Sequence, residues 1–415
     1  MDASVRMLEL LDARRPHYSL QREFYSDPAL YALELEHIWH KSWIFVGHSC
    51  EIADPGRWMR VDIGDASLII LRDRQMQVRA LHNVCRHRGA RVCLEAKGRS
   101  SRLVCPYHQW SYDLDGRLVR ARHMGQDFDP AGIGLRPAHV EVVGGWVFVC
   151  LAKEPPSFAE YRRDVEPFLA PVDLERCKVA HESSIIERGN WKLVMENNRE
   201  CYHCAGSHPE LCETLAEYDS VDDPRADPAF AELLERKYRD WDELGLPYLP
   251  TPPTNAYRAV RLPYINGAMA MTMDGKLASS RLLGQQTDPD LGSVRMLSLP
   301  NTWNHLGSDH VVSFRVLPIS PTETQVTTKW LVHKDAVAGV DYDVDRLIEV
   351  WTATNDQDRH LVEVTQLGVV SPAYVPGPYS PVIEVGVRDF VDWYCQTMRA
   401  RLVDLGAPDL AVAAE

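Results

Sequence analysis

The sequence predicts a two-domain α+β protein, with a mainly β N-terminal domain followed by a larger domain of helices and strands. The chain has 415 residues, more than a single hydrophobic core usually serves. Strand-like runs occupy much of the first third, at 67–71, 77–82, 102–104, 109–114 and 146–151. After a linker-like stretch at 153–168, a mixed pattern returns from Lys178. Two domains of different character follow from this order.

Composition and charge exclude several classes of function. The formal net charge of −14 argues against nucleic-acid binding, which requires a basic face, and is compatible with a cationic small substrate. No apolar run reaches the about 18 residues of a membrane span, and the N-terminus has no apolar signal core. We therefore expect a cytoplasmic protein with no membrane partner. Its ten cysteines are expected to be metal ligands or buried thiols rather than a disulfide framework.

The first group of candidate ligands consists of two short Cys/His pairs. Cys85-x-His87 is followed, after seventeen residues, by Cys105-x2-His108, and each pair is expected on a loop at the tip of a β-hairpin. A structural zinc site is the alternative, but zinc fingers usually pair Cys with Cys and His with His. One Cys and one His in each pair suit a Rieske [2Fe–2S] centre, where two cysteines hold one iron and two histidines the other. Cys93, without a matching His, is expected to be a buried thiol.

A second group of candidate ligands lies about a hundred residues later. Glu200, His203 and His208 form an acid-x2-His-x4-His pattern that follows a helix-like stretch at 191–199. Because His residues five apart do not align on an ideal helix, we expect a local widening of the helical turn here. Two histidines and a carboxylate make the facial triad of Fe(II) oxygenases.

Two cysteines within this motif leave a second interpretation open. Cys201 and Cys204 could form a zinc site with the histidines. The preceding Cys/His pattern favours iron, and these two thiols are then expected to pack within a helix.

The third iron ligand must be a carboxylate from elsewhere in the chain. A helical stripe is predicted downstream, formed by Leu347, Val350, Trp351, Thr354, Asp358, Leu361 and Thr365. A carboxylate on such a stripe is costly to bury unless it is paired or bound to a metal. Asp358 is therefore the expected ligand, and Asp356 is the fallback, more typical of a surface charge.

With both motifs in place, the chain resembles the α subunits of Rieske non-haem iron oxygenases. The resemblance extends from about residue 18 to residue 394, and is carried by Cys85–His87–Cys105–His108 and by Glu200, His203, His208 and Asp358. Further segments resemble the subgroup that demethylates betaines, in which the acid before the first iron histidine is Glu. These segments are NRECYHC, HPEL, TWNH, FRVLPISPTET, WLVHKDAV, SPAYVPGPYS and DFVDWY.

The resemblance implies a fold and an assembly. The expected α+β fold has an N-terminal Rieske [2Fe–2S] β domain at 45–155 and a catalytic domain with an antiparallel sheet and helices at 156–415. Residues 1–44 are expected to form a helical segment that packs on the catalytic domain. Family members form homotrimers in which one subunit's cluster reduces the next subunit's iron. By analogy, His108 would pass an electron through Glu200 to His203, since a carboxylate can orient two imidazoles.

The resemblance also implies an activity: O2-dependent hydroxylation of an N-methyl group of glycine betaine or proline betaine, with release of formaldehyde. The implied cofactors are the [2Fe–2S] cluster and a mononuclear Fe(II). Electrons would come from NADH through a separate flavin and iron–sulfur reductase, because this chain has no G-x-G-x-x-G dinucleotide fingerprint.

Candidate substrate contacts follow from the chemistry of a quaternary ammonium, which has no N–H and is recognised by aromatic faces. Tyr264, Trp303 and Tyr257 are candidates for an aromatic cage, although such residues are also typical of an ordinary core. His305 or Arg281 could meet a substrate carboxylate. The segment 219–253, rich in Pro and charge, is predicted to be a lid or a surface excursion.

Other classes of protein remain as alternatives. A ring-hydroxylating dioxygenase would use the same metal sites on an aromatic substrate. A zinc-stabilised binding module would be colourless, and a pure electron-transfer protein would not need the residues after about 155.

Overall fold

The structure, a computed structural model, describes residues 2–218, 223, 225–254 and 256–403, and it begins with an N-terminal helical segment. Its elements are α1 (Ala3–Asp12), α2 (Glu23–Ser26), α3 (Pro28–Glu34) and a π-helical turn (Leu35–Trp39). Asp27 caps α3 by accepting a hydrogen bond from the Ala29 amide, and Pro28 occupies the first helical position. Buried Met7, Leu8 and Leu11 lie on one face of α1.

The first β domain contains ten strands, two sheets and one short 3-10 helix. All pairings are antiparallel, and the seven-stranded sheet has the order β1-β10-β9-β4-β3-β2-β5, while β6, β7 and β8 form a small second sheet. The strands are β1 (Ile44–His48), β2 (Arg57–Ile63), β3 (Ala66–Arg72), β4 (Val78–His82), β5 (Lys97–Arg99), β6 (Leu103–Val104), β7 (Ser111–Tyr112), β8 (Leu118–Arg120), β9 (Pro137–Val143) and β10 (Trp146–Cys150), with the 3-10 helix at Ser49–Ile52.

The second domain is built on a six-stranded antiparallel sheet. Its order is β11-β16-β15-β14-β13-β12. The strands are β11 (Cys177–Glu187), β12 (Tyr257–Leu262), β13 (Ser293–Ser298), β14 (Thr302–Leu306), β15 (His310–Ser320) and β16 (Glu323–His333). The predicted α+β fold with an antiparallel catalytic sheet is confirmed.

Helices of several lengths accompany this sheet. They are α4 (Ala159–Leu169), a 3-10 helix (Leu174–Arg176), α5 (Trp191–Asn197), α6 (Cys204–Ser207), α7 (Pro209–Cys212), α8 (Pro228–Leu244), α9 (Val344–Val369) and α10 (Val385–Val403). Within the described ranges, none of the helices combines the length and the apolar character needed to cross a bilayer.

Two expectations about local structure are wrong. The second Cys/His pair lies on a hairpin, between β6 and β7. The first pair does not, because the strands on either side of it do not pair with each other: β4 pairs with β3 and β9, and β5 pairs with β2. The stretch at 153–168 is not a plain linker, since α4 begins within it and buries Val165, Phe168 and Leu169. Strand partners and tertiary burial are long-range properties that a local pattern does not specify.

The described part of the segment 219–253 contains one helix, α8. Residues 219–222 and 224 lie outside the described residues, and α8 follows them, with Asp227 accepting a hydrogen bond from the Phe230 amide at its N-terminus. Phe230, Leu234 and Trp241 are buried on one face of α8. α8 thus packs on the protein through an apolar face, and the choice between a lid and a surface excursion stays a prediction.

Buried polar contacts join the two domains. Glu51, on the 3-10 helix after β1, accepts hydrogen bonds of 2.6 and 2.7 Å from Lys329 Nζ on β16. The side-chain amide of Asn301 accepts a hydrogen bond from the Phe45 backbone N–H and donates one to the Phe45 carbonyl, both with N–O distances of 2.9 Å. Asn301, Phe45, Lys329 and the Glu51 side chain are nearly inaccessible, so the domains meet through buried, specific polar contacts.

Candidate active site

A cavity of about 660 Å³ opens in the second domain. Its walls come from strands β12, β13 and β14, from the loop after α5, from α9 and from the start of α10. The cavity contains both histidines of the second motif and Asp358.

The side chains of His203, His208 and Asp358 converge at the cavity wall. The Nε2 atoms of His203 and His208 lie 3.4 and 2.9 Å from the same Asp358 oxygen, Oδ1. One donor atom from each residue falls within 4.8 Å of the other two, the only such group of three or more found among the described residues. Two imidazoles and a carboxylate facing one point match the donor set of a non-haem iron site.

Neighbouring side chains orient both imidazoles. Glu200 Oε1 lies 2.6 Å from His203 Nδ1, and Gln357 Oε1 lies 2.7 Å from His208 Nδ1. Both Nδ1 atoms are thus held from outside, which leaves both Nε2 atoms directed at Asp358. Burial alone would lower the pKa of His203, but hydrogen bonds to Asp358 and Glu200 outweigh it and raise the pKa to about 9.

The backbone that carries the two histidines is not a widened helix, which corrects the sequence prediction. The helix α5 ends at Asn197, and His203 and His208 flank the single turn of α6. His208 adopts φ −131° and ψ 56° because it precedes Pro209, which disfavours helical backbone in the residue before it. The chain therefore turns between the histidines and brings them together without a helical face.

The loop between α5 and α6 is closed by a disulfide between Cys201 and Cys204. The expectation that both are thiols packed within a helix is corrected: Cys204 is buried at the start of α6, but it is bonded to Cys201, which precedes that helix. The same pairing removes them as zinc ligands.

Helix α9 presents Asp358 to the cavity on the same side as Trp351 and Thr354, which also line it. The predicted stripe is right as far as Asp358 and wrong beyond it: Leu361 is half-buried and Thr365 is exposed. The helix instead buries Val362, Gln366 and Val369 in its last turns. Asp356 is exposed and pairs with Arg359 at 3.0 Å, so its prediction as a surface charge is confirmed.

The four residues of the first motif come together as two pairs, the histidines with each other and the cysteines with each other. His87 Nδ1 and His108 Nδ1 lie 3.1 Å apart at the surface, and the His87 ring stacks on Trp110 with centroids 4.8 Å apart. Cys85 and Cys105 are buried below them. Two inner sulfurs and two outer imidazoles suit a [2Fe–2S] cluster with one iron toward each pair. Cys93 is a buried free thiol, as predicted.

Tyr112 supports the sulfur side of this cluster motif. Its hydroxyl lies 3.2 Å from Cys85 Sγ and accepts a hydrogen bond from the Arg86 amide at 3.0 Å.

The sheet wall of the cavity carries two rows of cross-strand neighbours. In one row Arg258, Leu297 and Trp303 stand side by side on β12, β13 and β14. In the other row, two residues away along each strand, stand Val260, Arg295 and His305. Since residues two apart on a strand share a face, both rows point into the cavity, as their presence in its lining shows.

The structure separates the candidate substrate contacts. Trp303, His305 and Tyr257 line the cavity, whereas Tyr264 is buried outside its lining. Arg281 also lies outside the lining and pairs with Asp341 at 3.1 Å. Tyr264 and Arg281 were therefore wrong choices, because the sequence does not reveal which face of a segment meets the cavity.

Cavity residues that the sequence reasoning did not select as substrate contacts include Trp351 and Arg199. Trp351 was recognised only as part of the helical stripe, and its ring lies 4.7 Å from that of His305. Arg199 precedes the bridging candidate Glu200 by one residue. Its position beside that motif was a signal, since the loop that presents one functional side chain also presents its neighbours.

Comparison with protein families identifies both domains. Residues 42–143 match the Rieske [2Fe–2S] domain, and residues 174–400 match the catalytic domain of the ring-hydroxylating α subunit. The chain is a Rieske oxygenase α subunit. A [2Fe–2S] cluster in the first domain and a non-haem iron in the second follow from membership in this family.

Among relatives of this Rieske oxygenase, the glycine betaine monooxygenase oxygenase subunit of Chromohalobacter salexigens is 51% identical over 97% of this chain and 91% of its own. The carnitine monooxygenase oxygenase subunit of Escherichia coli K12 is 32% identical over 48% of this chain and 54% of its own.

Solved structures share the fold of the Rieske oxygenase described here. A quaternary ammonium Rieske monooxygenase in complex with L-carnitine superposes with a TM-score of 0.69 at 22% identity, covering 92% of this chain and 96% of its own. Naphthalene 1,2-dioxygenase from Rhodococcus sp. superposes with the same TM-score at 19% identity, covering 96% and 98%.

Proposed function

We propose that this protein is the oxygenase component of a monooxygenase that removes a methyl group from glycine betaine or proline betaine. The observation that carries the proposal is the 51% identity to a glycine betaine monooxygenase oxygenase subunit along nearly the whole chain. The cavity supports it, since aromatic residues and arginines line the same space as the candidate iron ligands.

In this proposal each metal has defined ligands. Cys85, His87, Cys105 and His108 hold the [2Fe–2S] cluster, and His203, His208 and Asp358 hold one Fe(II). When bound, the Fe(II) supplies activation of O2 and hydroxylation of a substrate N-methyl carbon. The chain supplies the ligand geometry, the cavity and the orientation of the substrate.

The proposed reaction consumes one betaine, one O2, one NADH and one proton. One oxygen atom enters the N-methyl group and the other leaves as water, while NADH is oxidised to NAD+. The C–N bond of the hydroxymethyl group then breaks, its electron pair stays on nitrogen, and the hydroxyl proton is lost to give formaldehyde. The amine product, with one methyl group fewer, takes up a proton.

Electrons are proposed to reach this chain from NADH through a separate flavin and iron–sulfur reductase. In a homotrimer, His108 of the partner subunit would face Glu200, which already lies 2.6 Å from His203 Nδ1. A carboxylate that accepts hydrogen bonds from both imidazoles would join the two metal sites.

The decisive test is a formaldehyde assay. Holoenzyme with a surrogate reductase and NADH is expected to release one formaldehyde per NADH from glycine betaine or proline betaine, and none without O2. A protein that oxidises neither betaine but forms a cis-diol from an arene would instead be a ring-hydroxylating dioxygenase.

A further inference from the structure

Acidic and basic side chains both line the cavity. Asp358 and Glu200 contact the two histidines. Arg199, Arg258 and Arg295 bring three guanidinium groups to the same cavity. Arg258 is exposed, whereas Arg199 and Arg295 are half-buried, and this places the latter pair deeper in the protein.

Arg199 is a half-buried cation that has no counter-ion among the described residues. Its Nη2 donates to the carbonyl of the adjacent Asn198 and to the amide oxygen of the same residue. Its Nε is buried without a hydrogen-bond partner in the described part of the chain, and no described carboxylate forms an ion pair with it. Burial and, secondly, the nearby Arg258 lower the pKa of Arg199 to about 9.

The carboxylate next to Arg199 in the sequence is already engaged elsewhere: Glu200 contacts His203 and the Tyr202 amide. At the cavity wall, burial and then Asp392 raise the pKa of Asp389, while Arg388 and Arg258 oppose the rise. A cation that lines a cavity without an ion-pair partner is stabilised when an anionic ligand binds beside it.

The side chains next to Arg199 favour a small zwitterion. Burial, then Arg295 and Arg199, lower the pKa of His305 to about 3, so its imidazole is neutral and adds no competing charge. Arg295 and His305 are direct cross-strand neighbours. His305 packs on Trp351, which with Trp303 offers aromatic faces of the kind that attract a quaternary ammonium.

We propose that Arg199 and Arg295, beside His305, bind the carboxylate of a betaine and thereby turn its N-methyl groups toward Asp358 and the two histidines. This inference rests on the proposed function and specifies its substrate class. A carboxylate becomes a requirement for binding. Trp351 precedes Asp358 by two turns of α9, about 10 Å along the helix axis, and its ring contacts His305, the cross-strand neighbour of Arg295.

Calorimetric titration of the holoenzyme with glycine betaine and with choline tests the subsite, because choline keeps the trimethylammonium group and replaces the carboxylate by a hydroxymethyl group. Wild type is expected to bind glycine betaine at least about tenfold more tightly than choline. R199Q should weaken glycine betaine binding roughly 10- to 100-fold and leave choline binding unchanged. R281Q, an arginine outside the cavity, should match wild type.

Equal affinity of wild type and R199Q for glycine betaine would overturn the proposal, as would wild type binding choline as tightly as the betaine. R199K keeps the charge but loses the forked donor, so its affinity for glycine betaine should lie between those of wild type and R199Q. R199K serves as the test if R199Q does not fold. The visible absorption of the cluster reports that each variant is folded.

Tight betaine binding without formaldehyde release would uphold the subsite and reject the proposed function. Formaldehyde release by wild type, together with an R199Q affinity equal to that of wild type, would uphold the proposed function and reject the subsite.

Discussion

Asp358 joins two histidines that lie 150 and 155 residues earlier in the chain. A carboxylate in this position keeps its charge, because His203 and His208 lower its pKa although burial would raise it. These contacts place two imidazole nitrogens and one carboxylate oxygen where they could bind one Fe(II) ion.

Replacement of Asp358 by alanine tests this assignment. D358A is expected to lose one iron per chain, because two imidazoles alone bind Fe(II) weakly, and to keep the visible spectrum of the cluster. D356A is the matched control, since the Asp356 carboxylate is exposed two positions earlier on the same helix. Iron analysis and absorption spectroscopy measure both effects, and a D358A protein with full iron content would reject Asp358 as a ligand.

At this scale the sequence was informative where chemistry restricts residue type. Cys85, His87, Cys105 and His108 could be selected because few other roles require two such pairs. Tyr264 was misplaced and Trp351 was not chosen as a substrate contact, because any aromatic residue suits a core as well as a cavity. Only the register of the strands and the rotation of α9 separate these two cases.

The elements around the cavity position side chains by close backbone approach. Gly386, near the start of α10, lies against Arg199, and a Cβ on it would stand 2.4 Å from the Arg199 carbonyl oxygen. The absence of a side chain at Gly386 thus lets α10 fix the loop that carries Arg199 and Glu200.

A methyl group at Gly386 is therefore expected to be harmful. G386A should reduce stability by about 1–3 kcal/mol, because the contact atom is backbone and can yield only by a shift of the loop or the helix. The binding of glycine betaine should weaken with it. G368A provides the comparison, since a Cβ there meets no atom within 4 Å. Thermal melting of both variants measures the difference, and equal melting temperatures would contradict the expectation.

Element type could be predicted from the sequence more reliably than element partnership. Strand-like runs at 67–71 and 77–82 correspond to β3 and β4, with changes of only a residue at their ends. The hairpin proposed around Cys85 failed because β4 and β5 each pair with other strands. The turn between His203 and His208 depends on Pro209 and on the Cys201–Cys204 bond, which spacing alone does not reveal.

Across the whole molecule, both ends of the described chain converge on α5. Glu34, before the π-helical turn, accepts hydrogen bonds from Lys192 and Trp191 of α5 and from Tyr394 of α10. Glu196, also on α5, accepts hydrogen bonds from the hydroxyl of Tyr25 at 2.9 Å and from that of Tyr379 at 3.0 Å. The N-terminal helices and α10 are thus tied to the helix that leads into the iron-site loop.

Glu196 makes stability depend on pH in a defined direction. Burial raises the pKa of Glu196 from 4.5 to about 7, so the folded protein keeps a proton that the unfolded chain releases from about pH 4.5 upward. Its contribution therefore declines between about pH 4.5 and 7, by on the order of 3 kcal/mol, and is constant above that range. E196Q should lack this decline, which melting temperatures of both proteins at pH 5 and pH 8 would measure. Parallel pH profiles for the two proteins would contradict the assignment.

The disulfide beside the iron-site loop bears on how the protein is best purified. Thiol reductants are often added to protect cysteines, and they exchange with protein disulfides as well. Cleavage of the Cys201–Cys204 bond would release the short loop that holds Tyr202 and His203 between its ends. Strict exclusion of air without added thiol would protect the sulfurs of Cys85 and Cys105 and spare this loop, so handling conditions belong among the variables of any activity measurement.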